Sequence, residues 1–239
     1  MLTSNRKAYS RKAFQLLDIR RLIFVLSFVF LSPLPVNART IIMFGLDETG
    51  SYNLRAKGVA LACMVIDGLH GGDVFYVRRI TDRSFHDSAS VFRLEIPAVG
   101  KAPQNRFDRT TRATWERQVQ AVNGAKAKAK DMLSRLSPVK APRTDIRGFL
   151  AACTARFQAE EESNGITRKI IIASDMKENV KRSVSLDLQG AEVMIVGFEA
   201  GEDPEASRKL QEGWSDHLAR CKAGKVRFLP ADSLFVVNP

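Results

Sequence analysis

The sequence predicts an α/β fold: a three-layer sandwich around a mostly parallel, doubly wound six-stranded sheet. Three observations carry this. Short apolar runs at 40–46, 169–174 and 192–198 suit strands buried on both faces. Helical segments alternate with them, which is the pattern of parallel sheets. Two of the runs end on an aspartate, Asp47 and Asp175, and ligands of such sheets bind beyond the carboxyl ends of the strands.

Taken in order, Thr40–Leu46 is a continuous apolar run and reads as the first strand. Residues 51–69 read as a helix with Leu54, Val59, Cys63 and Ile66 near one face, stopped by Gly71-Gly72. Asp73–Ile80 is a second strand, and the alternating Ser90–Ile96 is a third. The short polar connection between them implies an antiparallel pair. A long helix is expected over 110–136 and another over 145–161, with Ile146, Leu150, Cys153 and Phe157 as its apolar stripe. Strands at 169–174 and 192–198, a helix near 204–222 and a short strand Val226–Leu229 follow. If the strand order is 3-2-1-4-5-6, right-handed crossovers place helix 51–69 on one face of the sheet. They place 145–161 and 204–222 on the other; each cysteine falls on an apolar stripe, so buried free thiols are the default, with a Cys153–Cys221 bridge geometrically open and a bridge to Cys63 not.

The chain has 239 residues, 45% of them apolar and 26% charged. That composition supports one domain with a sizeable core and excludes a disordered tail or a disulfide-dense miniprotein. Residues 1–21 hold six Lys/Arg against Asp18, and Leu22–Leu31 is almost wholly apolar. Pro33, Pro35 and a small-residue site ending at Ala38 come next. Basic region, short apolar run and small-residue site are the parts of a secretory signal peptide. A run of about ten residues is short of the roughly 20 that a spanning helix needs. Residues 1–38 are therefore expected to be a signal peptide and 39–239 the domain. Export follows, to the periplasm or medium if the source is bacterial, with an uncleaved anchor as the other outcome. Without those six positive charges and one negative, the formal +11 of the chain falls to about +6.

The chemistry concentrates in Asp47-Glu48-Thr49-Gly50-Ser51, where a carboxylate and two hydroxyls sit at alternate positions of a turn into a helix. Carboxylate and hydroxyl oxygens are hard ligands suited to Mg²⁺ or Mn²⁺. By itself the turn reads first as a polar helix cap formed by Thr49 or Ser51. Thr144, before the 145–161 helix, adds a third hydroxyl, and Asp175, after the fourth strand, adds a second carboxylate.

In this order the set resembles the von Willebrand factor A-type domain and its metal-ion-dependent adhesion site. That family carries D-x-S/T-x-S after strand one, a Thr before a middle helix and an Asp after strand four. The resemblance spans nearly all of 40–229. It implies a Mg²⁺ or Mn²⁺ site made by Asp47, Thr49, Ser51, Thr144 and Asp175, completed by an acidic residue from a partner protein. It implies a binding module rather than an enzyme. Three features depart from the family. Glu48 puts an acid inside the loop, Arg143 stands beside the Thr, and only about ten residues follow the last strand, where the family has a further helix. Glu48 and Arg143 keep open an alternative, a degenerate scaffold without metal, and the missing helix speaks against the affinity switching of adhesion-type members.

Asp47-Glu-Thr-Gly-Ser also resembles the D-K-T-G-T loop of haloacid-dehalogenase-like phosphotransferases, which would make Asp47 a nucleophile. The loop lysine and the downstream acidic G-D-x-x-x-D motif of those enzymes are absent from the sequence. His70, His86 and His217 have no metal-ligand spacing, and no G-x-S-x-G or nucleotide-binding glycine loop occurs. Segment 101–143 carries eleven Lys/Arg against Asp108, Glu116 and Asp131, which suits an acidic partner or a solvated helix face. Lys126, Lys128 and Lys130 cannot share one narrow helix face, so a nucleic-acid role is not expected.

Overall fold

The computed structural model describes residues 39–105, 108–160, 165–198 and 203–230. The expected signal peptide, 1–38, lies outside them, as do residues 231–239. Six strands form one sheet: β1 (Thr40–Asp47), β2 (Val74–Ile80), β3 (Ser90–Glu95), β4 (Thr167–Ala173), β5 (Glu192–Val196) and β6 (Val226–Leu229). Their order is β3-β2-β1-β4-β5-β6, as expected, with β3 antiparallel and the other pairings parallel. The β2–β3 register shifts between Val77 and Arg78, which marks a bulge.

Among the described residues four α-helices flank the sheet: α1 (Arg55–Gly68), α2 (Arg109–Ser134), α3 (Ile146–Ala159) and α4 (Pro204–Arg220). Two apolar clusters show which helix lies where. One joins Phe44 and Phe75 of the sheet to Leu61, Val65 and Ile66 of α1 and to Leu133 of α2. The other joins Ile170, Ile172 and Val193 to Phe149, Cys153 and Phe157 of α3 and to Trp214 and Leu218 of α4. The expected α3 stripe of Ile146, Leu150, Cys153 and Phe157 is fully buried. At Gly45 a Cβ would stand 2.8 Å from the Phe149 ring, so glycine is what lets α3 close on the central strand.

Three local differences from the sequence reading have physical causes. Helix α1 starts at Arg55 rather than near 51, because Tyr52 N–H closes a turn on Thr49 C=O (3.2 Å). Its buried face is Gly58, Leu61, Ala62, Val65 and Ile66. Leu54, Val59 and Cys63 are only partly buried at its flank, since α2 packs there rather than the sheet. The lysines of α2 are not simply solvated. Lys126 Nζ donates to Asp67 C=O and Leu69 C=O, and Lys130 Nζ meets Asp67 Oδ1 (2.7 Å). Lys126 thus satisfies carbonyls at the C-terminal end of α1, and Lys130 pairs with the carboxylate that end carries. Cys153 and Cys221 share one face as expected and, like Cys63, are free thiols, the default for cysteines on apolar stripes.

Candidate metal centre

The central strands β1 and β4 run side by side, with Leu46 opposite Ala173. Their carboxyl ends therefore deliver Asp47 and Asp175 to the same edge of the sheet. Asp47 is fully buried. Its Oδ1 accepts hydrogen bonds from Thr49 N–H (2.9 Å) and Thr49 Oγ1 (2.6 Å), and its Oδ2 accepts from Ser174 Oγ (2.6 Å). Ser51 Oγ lies 3.3 Å from Thr49 Oγ1. Because the Thr49 proton points to Asp47, Ser51 is the donor of that pair. Burial pushes the Asp47 carboxyl above its ordinary value. The bonds from Ser174 and Thr49 offset this only in part, and the charge of Asp175 adds to the rise.

Asp175 is buried, and its Oδ1 accepts from Lys177 N–H (3.1 Å). Its Oδ2 is buried without a hydrogen-bond partner; the ammonium of Lys177 stands 3.7 Å away. The turn that sets this carboxylate is held in a left-handed conformation at Met176, φ 62°. Three contacts keep it there: Met176 N–H donates to Ser174 Oγ, Trp214 Nε1 donates to Met176 C=O, and the Met176 side chain is fully buried. A non-glycine residue at such a φ is costly and persists only when its surroundings fix it.

Thr144 arrives on a third segment. Ala141 N–H donates to Glu48 C=O (3.1 Å), and Asp145 N–H donates to Thr81 C=O (2.9 Å). Thr144 N–H donates to Asn179 Oδ1 (2.7 Å), while Thr144 C=O accepts from the N–H groups of Asn179 and Val180. The segment is thus tied to the Asp47 loop on one side and to the Asp175 loop on the other. Asp145 caps α3 by accepting from Gly148 N–H (2.8 Å) and pairs with Arg182 (3.0 Å). Thr144 Oγ1 is buried and has no hydrogen-bond partner.

All five sequence-predicted residues therefore stand on the loops at this end of the sheet. Asp47, Thr49 and Ser51 touch directly, Asp175 is close enough to shift Asp47, and Thr144 is bonded between their loops. Among the described residues no three His, Cys, Asp or Glu side chains converge as a metal cluster. This set has only two acids and owes its other donors to hydroxyls. Oxygen donors and two buried oxygens without partners, Thr144 Oγ1 and Asp175 Oδ2, fit a small hard cation.

Two departures noted in the sequence acquire a place. Glu48 does not add a free acid to the loop. Its buried carboxylate takes Arg55 Nε (2.7 Å) and Val139 N–H (3.2 Å), with Arg79 at 3.7 Å. Arg143 is exposed. Sequence reasoning gave no role to Ser174 or Asn179. The signal for Ser174 is its position, one residue before the strand-end acid. Asn179 carries no local signal, because its partner lies 35 residues away.

No protein-family model matches the chain, and no curated protein is similar to it at a significant level. Solved structures that resemble it include a von Willebrand factor type A protein from Catenulispora acidiphila. The identity is 17% and the TM-score 0.48, over 82% of this chain and 40% of that one. Another is proximal thread matrix protein 1 from the mussel byssus, with 16% identity and a TM-score of 0.45 over 83% of this chain and 43% of that one. The chain spans about two fifths of the length of each.

Proposed function

We propose that the chain is an exported protein-binding module that engages an acidic partner through a Mg²⁺ or Mn²⁺ ion, and that it is not an enzyme. The observation that carries this reading is the pair of buried, unpartnered oxygens, Thr144 Oγ1 and Asp175 Oδ2, on loops adjoining Asp47. Buried polar atoms without partners are uncommon in folded proteins and call for a ligand or an explanation. Thr49, Ser51 and Thr144 would hold the ion, with Asp47 and Asp175 as ligands or as orienters of its water. When bound, the ion would offer an electrophilic position to a carboxylate of the partner. The protein's own residues fix the geometry: Ser174 orients Asp47, and Met176 orients Asp175. The proposal of export rests on the composition of residues 1–38; among the described residues no helix is long and apolar enough to cross a membrane.

One observation favours a second reading, a scaffold that keeps the fold without the metal. Lys177 Nζ already stands 3.7 Å from the free oxygen of Asp175, where its charge does part of a cation's work. A nucleophilic Asp47 finds less support, because both of its oxygens are engaged by Thr49 and Ser174.

Calorimetric titration with Mg²⁺ and Mn²⁺ tests the reading, alongside Asp47→Ala, Thr144→Ala and Lys177→Met. Saturable binding lost in the first two variants supports the metal centre. If none of the four proteins binds, and a chelator leaves pull-down of associated proteins unchanged, the metal-free scaffold replaces it.

A further inference from the structure

On the α3 face of the sheet, β2 carries a charge at a core position. Its side chains alternate between the two faces. Val74, Tyr76 and Ile80 join the apolar cluster under α3, and Arg78 shares their face. Arg78 is only 9% exposed. Its Nη2 donates to the carbonyl oxygens of Ser84 (3.1 Å), Phe85 (3.3 Å) and His86 (2.8 Å). Its Nε is buried without a hydrogen-bond partner. Among the described residues no carboxylate forms an ion pair with it. An arginine buried this far is ordinarily paired with an anion. The β2–β3 bulge falls at this residue, and bulges recur beside binding sites, where they re-aim a side chain.

Arg78 lines a cavity of about 270 Å³ together with Arg156 of α3. Arg156 lies over the Tyr76 ring, 4.8 Å from its centroid, and among the described residues it too has no ion pair. Phe85, 49% exposed, and the small side chains of Ala152 and Ala155 supply apolar walls. Burial lowers the Arg78 pKa and the charge of Arg156 lowers it further, while Cys153 and Asp87 oppose the shift. Asp87, exposed, is the acid that lines the cavity. The other charges around Tyr76, those of Arg39, Arg93, Glu95 and Glu160, pair among themselves. Two guanidiniums against one carboxylate leave the cavity with a single net positive charge.

We propose that this cavity binds a small organic monocarboxylate, its anionic end between Arg78 and Arg156 and its apolar body against Phe85 and the α3 alanines. A planar guanidinium matches the two oxygens of a carboxylate. The net charge of the cavity matches a monoanion rather than a dianion. Its volume lies just below the usual range of ligand pockets, about 300–1,000 Å³, so the ligand is small. None of these residues belongs to the candidate metal centre, and the inference does not rest on it.

Calorimetric titration of the full chain with phenylacetate and benzoate tests this, with a chelator present so that no metal ion can hold the carboxylate. The uncharged phenylacetamide and inorganic phosphate are titrated beside them. The expected result is saturable binding of phenylacetate with a raised Tm, roughly tenfold weaker for phenylacetamide and for Arg156→Met. Arg78→Met should abolish binding. Arg156 is exposed, so Arg156→Met gives the answer if the Arg78 variant does not fold. No saturable binding of either carboxylate overturns the proposal. So does equal affinity for phenylacetate and phenylacetamide, or for wild type and Arg156→Met. Phosphate bound more tightly than both carboxylates overturns it in favour of a phosphorylated ligand.

Discussion

Ser174 Oγ donates a 2.6 Å hydrogen bond to Asp47 Oδ2 across 127 residues of chain. The two residues end adjacent parallel strands, so this bond fastens the β1 loop to the β4 loop at the floor of the candidate metal centre. Ser174 Oγ also accepts from Met176 N–H (2.9 Å), which places one hydroxyl between the Asp47 carboxylate and the strained turn below Asp175. Replacing it by alanine removes a partner from a buried carboxylate. We expect Ser174→Ala to lose about 1–3 kcal/mol in urea unfolding, with weaker metal binding even though Ser174 is not itself a proposed ligand.

The raised pKa of Asp47 makes a pH-dependent prediction. Burial favours the protonated carboxyl in the fold, so the folded value lies above the unfolded one. The fold holds the proton longer, and ionising Asp47 therefore costs stability. That cost is absent below the unfolded pKa, grows as pH rises towards the folded pKa and is complete above it. Relative to Asp47→Asn, the wild-type chain should lose stability as pH rises from the ordinary carboxylate range, then level off. Ser174→Ala should widen that window, because the Ser174 bond lowers the pKa. A stability difference between wild type and Asp47→Asn that does not vary with pH would contradict the assignment.

Much of the architecture was legible because each strand is a compact apolar run and each connection has a distinct length. The antiparallel β2–β3 pair was legible from one short connection; the order of the sheet came with the family resemblance, and right-handed crossovers then assigned the helix faces. The alternation of Asp47, Thr49 and Ser51 was likewise visible, since a single turn sets it. What the sequence concealed depends on contacts distant along the chain. Glu48 looks like an acid in the loop until Arg55 and Arg79 draw its carboxylate away. Lys126 looks solvated until the carbonyl end of α1 lies beneath it, and Lys130 until the carboxylate of Asp67 does. The start of α1 was missed because Tyr52 N–H is spent on a turn that Thr49 C=O closes.

Glu48 and Arg55 offer a test of that buried pair. The Glu48 side chain has no exposed surface and that of Arg55 is 22% exposed, with 2.7 Å between Oε2 and Nε. Removing Arg55 leaves Glu48 buried, with Arg79 at 3.7 Å as its remaining cation. Breaking a buried pair costs about 3–5 kcal/mol, and the second arginine puts this case at the lower end. Arg55→Met should therefore destabilise strongly in urea. The Arg55→Met/Glu48→Gln double variant should recover part of the loss, and a double variant less stable than the single would refute the pairing.

The cysteines make a prediction that needs only a thiol reagent. Cys153 is completely buried, and burial pushes its thiol far above the ordinary range. Cys221 and Cys63 are raised by the same cause, with Cys63 the least buried of the three. Thiolate is the reactive form. In the native chain Cys63 should react first, and Cys153 only at the rate of global unfolding. Denatured protein should titrate three thiols. A count of one would mean that Cys153 and Cys221 had joined across the α3/α4 face after all.

Thr144→Val separates the structural role of the candidate centre from its binding role. Thr144 Oγ1 is buried and makes no hydrogen bond, while its backbone N–H and C=O hold Asn179 and Val180. Valine keeps the shape and the backbone bonds and deletes only the unpartnered hydroxyl. An unsatisfied buried polar group costs about 1–3 kcal/mol. Without metal, Thr144→Val should therefore unfold at the same urea concentration as wild type or a higher one. With Mg²⁺ or Mn²⁺ present the order should reverse, because a bound ion stabilises only the chain that can hold it. The crossing of the two stabilities on adding metal is the signature of a ligand hydroxyl. A variant weaker than wild type both with and without metal would instead make Thr144 a packing residue and take it out of the site.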